Sequence, residues 1–172
     1  KLAGRVAAST LTIREEPHLF GAIGSAPFDD DGVATCPKTI VESGNLETYL
    51  LGAYSARRLK LEPTGNAGGV HNLIVGHQDR TLDELIADLD KALLVTELMG
   101  FGVNTVTGDY SRGASGFFIS EGKINHAVEE ITIAGNLKTM LLGIQTIAND
   151  VDRRGNIHTG SILIDKMAIA GA

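Results

Sequence analysis

The sequence has little that could crosslink it or anchor it in a membrane. Its 172 residues include one cysteine, Cys36, and no tryptophan. A single cysteine cannot form a disulfide within the chain, which suits a reducing compartment. No stretch resembles a signal peptide, and no apolar run approaches the roughly 20 residues that a membrane-spanning helix needs. We therefore expect a cytoplasmic protein that does not bind membranes.

Positive charge is also scarce. The 15 basic and 21 acidic residues give a net charge of −6, and the longest basic blocks are the pairs Arg57-Arg58 and Arg153-Arg154. An acidic domain gains nothing from the counterion release that drives binding to DNA or RNA. We therefore predict no direct contact with nucleic acid.

Glycine, in contrast, is abundant, with 21 residues. Several of these glycines lie between Val95 and Phe118, among apolar and β-branched neighbours rather than in a polar linker. Glycine within strand-forming sequence marks a bulge, a tight corner or a close approach of two backbones. The pattern predicts sheet with an unusual surface.

Four polar residues stand between two of these glycines: Asp109, Tyr110, Ser111 and Arg112. One interpretation is a structural corner that is fixed by a hydrogen bond of the aspartate or the arginine. The other is a polar patch that binds a peptide or a partner chain, and these four are our candidate binding residues.

The pattern of apolar and turn residues predicts a sheet-rich domain. Helices are expected from Ala53 to about Leu59, after a capping box of Thr81 and Glu84, and from Leu137 to about Ala148 with Asn136 as N-cap. The predicted strands are residues 5–13, 38–42, 46–51, 71–76, 93–95, 103–106, 115–120, 123–133 and 161–169. We predict one α+β domain over residues 1–172, mainly antiparallel β, as a sandwich or pseudo-barrel with two to three helices.

Common catalytic motifs are missing from the sequence. It contains no H-E-x-x-H, no G-x-S-x-G and no phosphate-binding glycine loop that ends in Lys-Ser or Lys-Thr. The acidic run Asp29-Asp30-Asp31-Gly32 has Ile40 where a calcium loop needs an acid, so it reads as a solvated turn. Glu129 and Glu130 should point to opposite faces of a strand, with one of them buried and paired.

Longer blocks of the sequence resemble the TldD/PmbA family, which is linked to metalloproteolysis, and in particular the C-terminal domain of its PmbA (TldE) branch. The blocks that carry this resemblance are residues 24–33, 54–57, 64–72, 96–118, 128–137 and 149–160. They extend over most of the chain. The resemblance implies that the N-terminal part of the protein lies outside this chain.

In this family the TldD subunit binds zinc through an H-E-x-x-x-H helix and a later cysteine. The region of that cysteine corresponds to Arg154–Gly160, where this sequence has none. The resemblance therefore implies a subunit without a cofactor of its own, in a TldD–TldE-type protease whose zinc lies in the TldD-like partner. This chain would help to form a channel for extended peptides.

Two alternatives remain open from the sequence. The chain could belong to an independent zinc metallopeptidase whose ligands lie upstream, with His158 as a weak candidate for a further ligand. It could also be a homodimeric scaffold without proteolysis. An upstream H-E-x-x-x-H motif would favour the first alternative over the partner-subunit interpretation.

Overall fold

The structure is a computed structural model that describes residues 2–171. Within them, three helices and eleven strands follow one another along the chain. The elements are β1 (Ile13–Glu15), β2 (Lys38–Glu42), β3 (Asn45–Leu46), α1 (Ala53–Leu59), β4 (Leu73–Val75), α2 (Leu82–Ala87), β5 (Lys91–Met99), β6 (Asp109–Ser120), β7 (Lys123–Asn136), α3 (Leu137–Leu142), β8 (Ile144–Ile147), β9 (Ile157–His158), β10 (Ile162–Ile164) and β11 (Ala168–Ala170). This is an α+β fold in which β structure predominates, as predicted.

The first sheet has five short strands in the order β3-β2-β1-β4-β9. A hairpin joins β2 to β3 through Ser43 and Gly44, both with positive φ. Neighbouring strands are antiparallel except β4 and β9, which pair in parallel through Leu73 with Ile157 and Ile74 with His158. The parallel pair brings the segment around residue 157 to the edge of this sheet.

The second sheet has four strands, in the order β11-β7-β6-β5, and is fully antiparallel. It contains more residues than the first sheet, because β5, β6 and β7 are long, and it is called the large sheet below. A bulge in β7 leaves Glu130 with a φ of +54°. Both Glu129 and Glu130 are exposed, so the predicted burial of one of them is wrong. The strand β5 forms one edge of this sheet, and no further described strand pairs with it.

Two glycines, Gly116 in β6 and Gly102 in the connection between β5 and β6, confirm the expectation of close backbone approaches. A Cβ on Gly116 would overlap the carbonyl oxygen of Leu94, and one on Gly102 would overlap that of Ser111. A larger residue at either position would push the backbones apart. The glycines of this region thus allow β5, β6 and the connection between them to lie close together.

A two-stranded sheet of β8 and β10 completes the architecture. Ile144 and Ile147 of β8 are buried in one apolar core with Ala7, Leu11 and Val75. Ala114, Ile131 and Ile133 form a second core on the large sheet. None of the three helices in residues 2–171 could span a lipid bilayer.

The predicted helices are correct in place, but one is too long. Helix α1 has the predicted bounds, and the Thr81–Glu84 capping box opens α2 as expected. Helix α3 begins after its N-cap Asn136 but ends at Leu142, with Gly143 as C-cap. The sequence from Ile144 is rich in β-branched residues, which favour a strand, and it forms β8 instead.

Several predicted strands are shorter than expected or absent. In the predicted strand 5–13 only Arg5, in an isolated bridge, and Ile13, in β1, pair with other strands. In the predicted strand 103–106, only Val103 pairs, in an isolated bridge with Tyr110, and a turn begins at residue 105. The predicted strand 161–169 is divided into β10 and β11, which belong to different sheets. In each case an apolar run crosses a change of direction that periodicity alone does not reveal.

Candidate functional site

The four candidate binding residues begin the strand β6, soon after the turn at residues 105–107. Asp109, Tyr110, Ser111 and Arg112 are the first residues of β6 and pair in register with Asn136, Gly135, Ala134 and Ile133 of β7. Successive side chains of a strand point to opposite faces. Asp109 and Ser111 are exposed, whereas Tyr110 and Arg112 are half-buried on the other face. The structure therefore divides the four residues into two pairs.

Asp109 accepts hydrogen bonds from the turn that precedes β6. Its Oδ2 accepts a hydrogen bond from Thr107 Oγ1 at 2.7 Å, and its Oδ1 lies 3.4 Å from the Asn136 amide nitrogen. The Asp109 carbonyl also accepts from the backbone nitrogen of Asn104 at 2.8 Å. These contacts give Asp109 a structural role in the connection between β5 and β6.

The guanidinium of Arg112 has few hydrogen-bond partners. Its Nη2 donates to the carbonyl oxygen of Leu98 at 3.3 Å, while its Nε is buried without any hydrogen-bond partner. Among residues 2–171 it forms no ion pair. A buried donor without an acceptor costs about 1–3 kcal/mol. The guanidinium of Arg112 thus has unused capacity to bind an acceptor.

An open groove of about 830 Å³ adjoins Arg112 on this face of the large sheet. Three neighbours of Arg112 line it: Leu98, Tyr110 and Ile133. Its other walls are formed by residues 91–97 of β5, residues 161–167 around β10, Ile169 of β11, the apolar side of α2 with Leu89, and the side chains of Ile119, Met140 and Gln145. The groove is therefore bounded mainly by two strands and a helix.

Both bounding strands offer unpaired backbone. Eight consecutive residues of β5, Lys91–Leu98, line the groove, although side chains of a strand alternate between faces. The groove must therefore reach the edge of the strand as well as one face. Within residues 2–171, β5 pairs only with β6 and β10 only with β8. Each strand keeps one edge whose N–H and C=O groups can pair with a further strand.

His158, the candidate metal ligand, lies in β9. It is half-buried, and its Nε2 is 3.1 Å from the carbonyl oxygen of Gly155. In the preceding segment, the guanidinium of Arg154 donates hydrogen bonds to both carboxylate oxygens of Asp152. The hydrogen bonds from Arg154 lower the pKa of Asp152 to about 2.

A buried ionic centre lies beside this segment, in the five-stranded sheet. The Glu15 carboxylate is fully buried and accepts hydrogen bonds from Lys38 Nζ at 2.7 Å, Asn66 Nδ2 at 2.8 Å and the His71 backbone nitrogen at 2.8 Å. Lys38 Nζ also donates to Asn66 Oδ1 and to the Thr64 carbonyl. Burial raises the pKa of Glu15, but the donors outweigh it and the net pKa is lowered. Ionised Glu15 therefore holds the 64–72 loop against β1.

Two further buried side chains hold the neighbouring loop. Asn72 donates to the Glu16 carbonyl and to Ser25 Oγ, and its Oδ1 accepts from the Gly24 nitrogen at 3.0 Å. Asp29, predicted to be solvated, is only 4% exposed and accepts from three backbone nitrogens, including Ala67 at 2.9 Å. Burial raises the pKa of Asp29, but these hydrogen bonds lower it overall.

The centre at Glu15 could not be predicted from local sequence patterns. Its partners Lys38, Asn66 and His71 are 23 to 56 residues away along the chain. No local spacing motif connects residues at such distances. The one local signal is the glycine-rich loop 64–69, which is part of a block that carries the family resemblance.

Comparison with known proteins decides the family. The family model for the PmbA/TldA metallopeptidase C-terminal domain matches residues 1–171. The chain belongs to this family. A metalloprotease PmbA homolog from Buchnera aphidicola subsp. Acyrthosiphon pisum (strain APS) is 50% identical over 161 residues, which are 94% of this chain and 36% of the relative. The PmbA/TldA domain described here thus spans just over a third of that relative.

Solved structures share the fold. A crystal structure from Bacteroides thetaiotaomicron VPI-5482, of a candidate modulator of DNA gyrase, is 34% identical with a TM-score of 0.92, over 100% of this chain and 39% of that chain. TldE from Thermococcus kodakarensis has a TM-score of 0.85 at 24% identity, over 99% of this chain and 42% of that chain. At that identity the second likeness supports the fold of the PmbA/TldA domain alone.

A metallopeptidase family implies a metal ion. Within residues 2–171, no three histidine, cysteine, aspartate or glutamate side chains are placed so that they could hold one. Zinc sites in proteins use three or four protein ligands, so the described residues do not fit a zinc ion by themselves. The role of His158 as a single ligand stays a prediction.

Proposed function

We propose that this PmbA/TldA domain belongs to a subunit of a TldD–TldE-type metalloprotease complex in the cytoplasm. It is the partner that carries no zinc of its own, and it forms part of the wall of a channel for extended peptides. The family assignment supports this role, and so does the segment Arg154–Gly160, which contains no cysteine at the place where the resemblance puts the later zinc ligand.

The observation that carries the proposal is the groove between β5 and β10. An extended peptide recognised by strand addition needs a free strand edge for its main chain and apolar surface for alternate side chains. The groove supplies both, since the free edge of β5 runs along it and Leu85, Ile86 and Ile162 line its apolar walls. Hydrogen bonds to the peptide main chain do not select for particular side chains, which suits an enzyme that degrades or trims varied peptides.

The chemical step belongs to the partner in this proposal. A TldD-like subunit would hold the zinc ion, and bound zinc supplies an activated water for peptide hydrolysis. The groove of this domain holds the peptide in an extended form. In this form the backbone of the peptide is accessible to the active site of the partner. A homodimer of this chain is the other possible assembly, and it would give a peptide-binding scaffold without proteolysis.

Peptides with methylated backbone nitrogens test the groove. A fluorescein-labelled hexapeptide, Ala-Val-Thr-Val-Thr-Ala, is titrated into the purified protein and followed by fluorescence anisotropy. N-methylation of every second residue removes the donors on one edge of the peptide. We expect at least one of the two alternate methylation patterns to weaken binding about tenfold, because each lost main-chain hydrogen bond weakens the complex. Equal binding of all three peptides would contradict strand addition.

Purification from cells tests the assembly. The tagged protein is isolated under gentle conditions, and its partners and zinc content are measured. We expect a zinc-bearing TldD-like protein to co-purify at equal stoichiometry, with no zinc in the isolated protein. Stoichiometric zinc in the isolated protein would instead support an independent metallopeptidase. A homodimer that binds the peptide without a zinc-bearing partner would support the scaffold.

A further inference from the structure

The groove has a defined end. Of the nine residues of β5, Lys91 to Leu98 line the groove, and Met99 does not. Arg112 lies beside this end, because its Nη2 donates to the carbonyl oxygen of Leu98. Tyr110, on the same face of β6, and Ile133, the register partner of Arg112 on β7, both line the groove. The guanidinium therefore lies at the margin of the groove where β5 leaves it.

Arg112 forms no ion pair within residues 2–171. Asp109, the nearest acid on its own strand, is bonded to Thr107 and Asn136. Glu97 lines the groove but forms no ion pair with Arg112 in the described residues. With Nε buried and without a partner, the side chain gains hydrogen bonds if it turns toward an acceptor in the groove.

We propose that Arg112 binds the free α-carboxylate of an extended peptide that lies along β5. This inference rests on the proposed function and adds the chemical class of the ligand and its direction. A carboxylate accepts two parallel hydrogen bonds from a guanidinium, which is the strongest common pairing of arginine. Because Leu98 is at the C-terminal side of β5, a peptide that ends there runs parallel to β5.

A comparison of peptide acids and amides tests the anchor. The labelled hexapeptide Ala-Val-Thr-Val-Thr-Ala is prepared with a free C-terminus and with a C-terminal amide. We expect the amide to bind the wild-type protein about 10- to 100-fold more weakly, as for the loss of a charged hydrogen-bonded pair. In Arg112→Gln the acid should bind as weakly as the amide, and Arg112→Lys should give an intermediate affinity. Lys123→Gln, the same charge change in an exposed residue outside the groove, should leave both affinities unchanged.

The outcomes separate this inference from the proposed function. If acid and amide bind equally well while N-methylation still weakens binding, the anchor is wrong and strand addition stands. An acid–amide difference that persists in Arg112→Gln would also overturn the anchor. An amide with an internal glutamate that binds as tightly as the acid would assign Arg112 to side-chain carboxylates instead. If no peptide binds, both the anchor and the proposed function fail.

Discussion

Lys38 Nζ lies 2.7 Å from Glu15 Oε2 in the interior of the five-stranded sheet, with side-chain exposures of 8% and 0%. Both charges are out of water, so each depends on the other and on the polar groups of the 64–72 loop. Attraction in such a pair must offset a large desolvation penalty. The pair is therefore weak evidence for net stability, but removal of either partner should be strongly destabilising.

The first prediction concerns this pair. Glu15→Gln and Lys38→Met each leave a buried charge without its counter-ion, and each should lower the free energy of unfolding by about 3–5 kcal/mol. The double variant should lose less than the sum, because it leaves no unpaired charge. Urea unfolding at pH 7 measures these changes. Glu47→Gln, at an exposed position, should stay within about 0.5 kcal/mol of the wild type. Similarly small losses for the buried and exposed variants would refute the role of the pair.

The pH dependence of stability provides the second prediction. The pKa of Glu15 in the folded protein lies below its ordinary value of 4.5, since its hydrogen-bond donors outweigh burial. Ionised Glu15 therefore contributes stability that is complete above about pH 4.5 and is lost as the pH falls through the lowered pKa. We expect the unfolding free energy of the wild type to fall more steeply below pH 4.5 than that of Glu15→Gln. Urea titrations between pH 3 and 7 measure both curves, and parallel curves would contradict the assignment.

Elements that depend on local interactions were predicted correctly, whereas those that depend on contacts between distant parts of the chain were not. The box of Thr81 and Glu84 is complete within four residues, so the sequence predicted the start of α2 correctly. Ile144 and Ile147 have helical spacing relative to Met140, but they lie in β8, where they pack with Ala7 and Leu11. These partners are far away along the chain, so local spacing does not reveal them.

The same reasoning applies to the candidate site. The sequence singled out Arg112 by its polar character among glycines, but the division of the four residues between two faces depends on the start of β6 at Asp109. The groove could not be predicted at all, because β5 and β10 are separated by more than 60 residues in the chain. The buried centre at Glu15 escaped prediction for the same reason.

The third prediction tests the bulge in β7. Glu130 has a φ of +54°, a region that costs a non-glycine residue about 1 kcal/mol, whereas its neighbour Glu129 has no positive φ. Glu130→Gly should raise the free energy of unfolding by up to about 1 kcal/mol, because glycine adopts this conformation without strain. Glu129→Gly, the matched control at an equally exposed position, should lower it by about 0.5–1 kcal/mol. Thermal and urea unfolding of the two variants would refute the bulge assignment if both changes had the same sign.

The last prediction separates binding from structure at Arg112. Arg112→Ala removes one hydrogen bond to the Leu98 carbonyl, and it also removes a buried donor that has no acceptor. These effects oppose each other, so the melting temperature should change little while affinity for the peptide acid or for the partner subunit falls. Asn136→Ala, at the N-cap of α3, provides the contrast, because its side chain accepts from the Lys138 nitrogen at 3.1 Å and donates to the Thr107 carbonyl at 3.0 Å. It should cost about 1 kcal/mol of stability. If Arg112→Ala lowered stability by more than Asn136→Ala, Arg112 would be a structural residue of β6 and its unused guanidinium would not be a binding group.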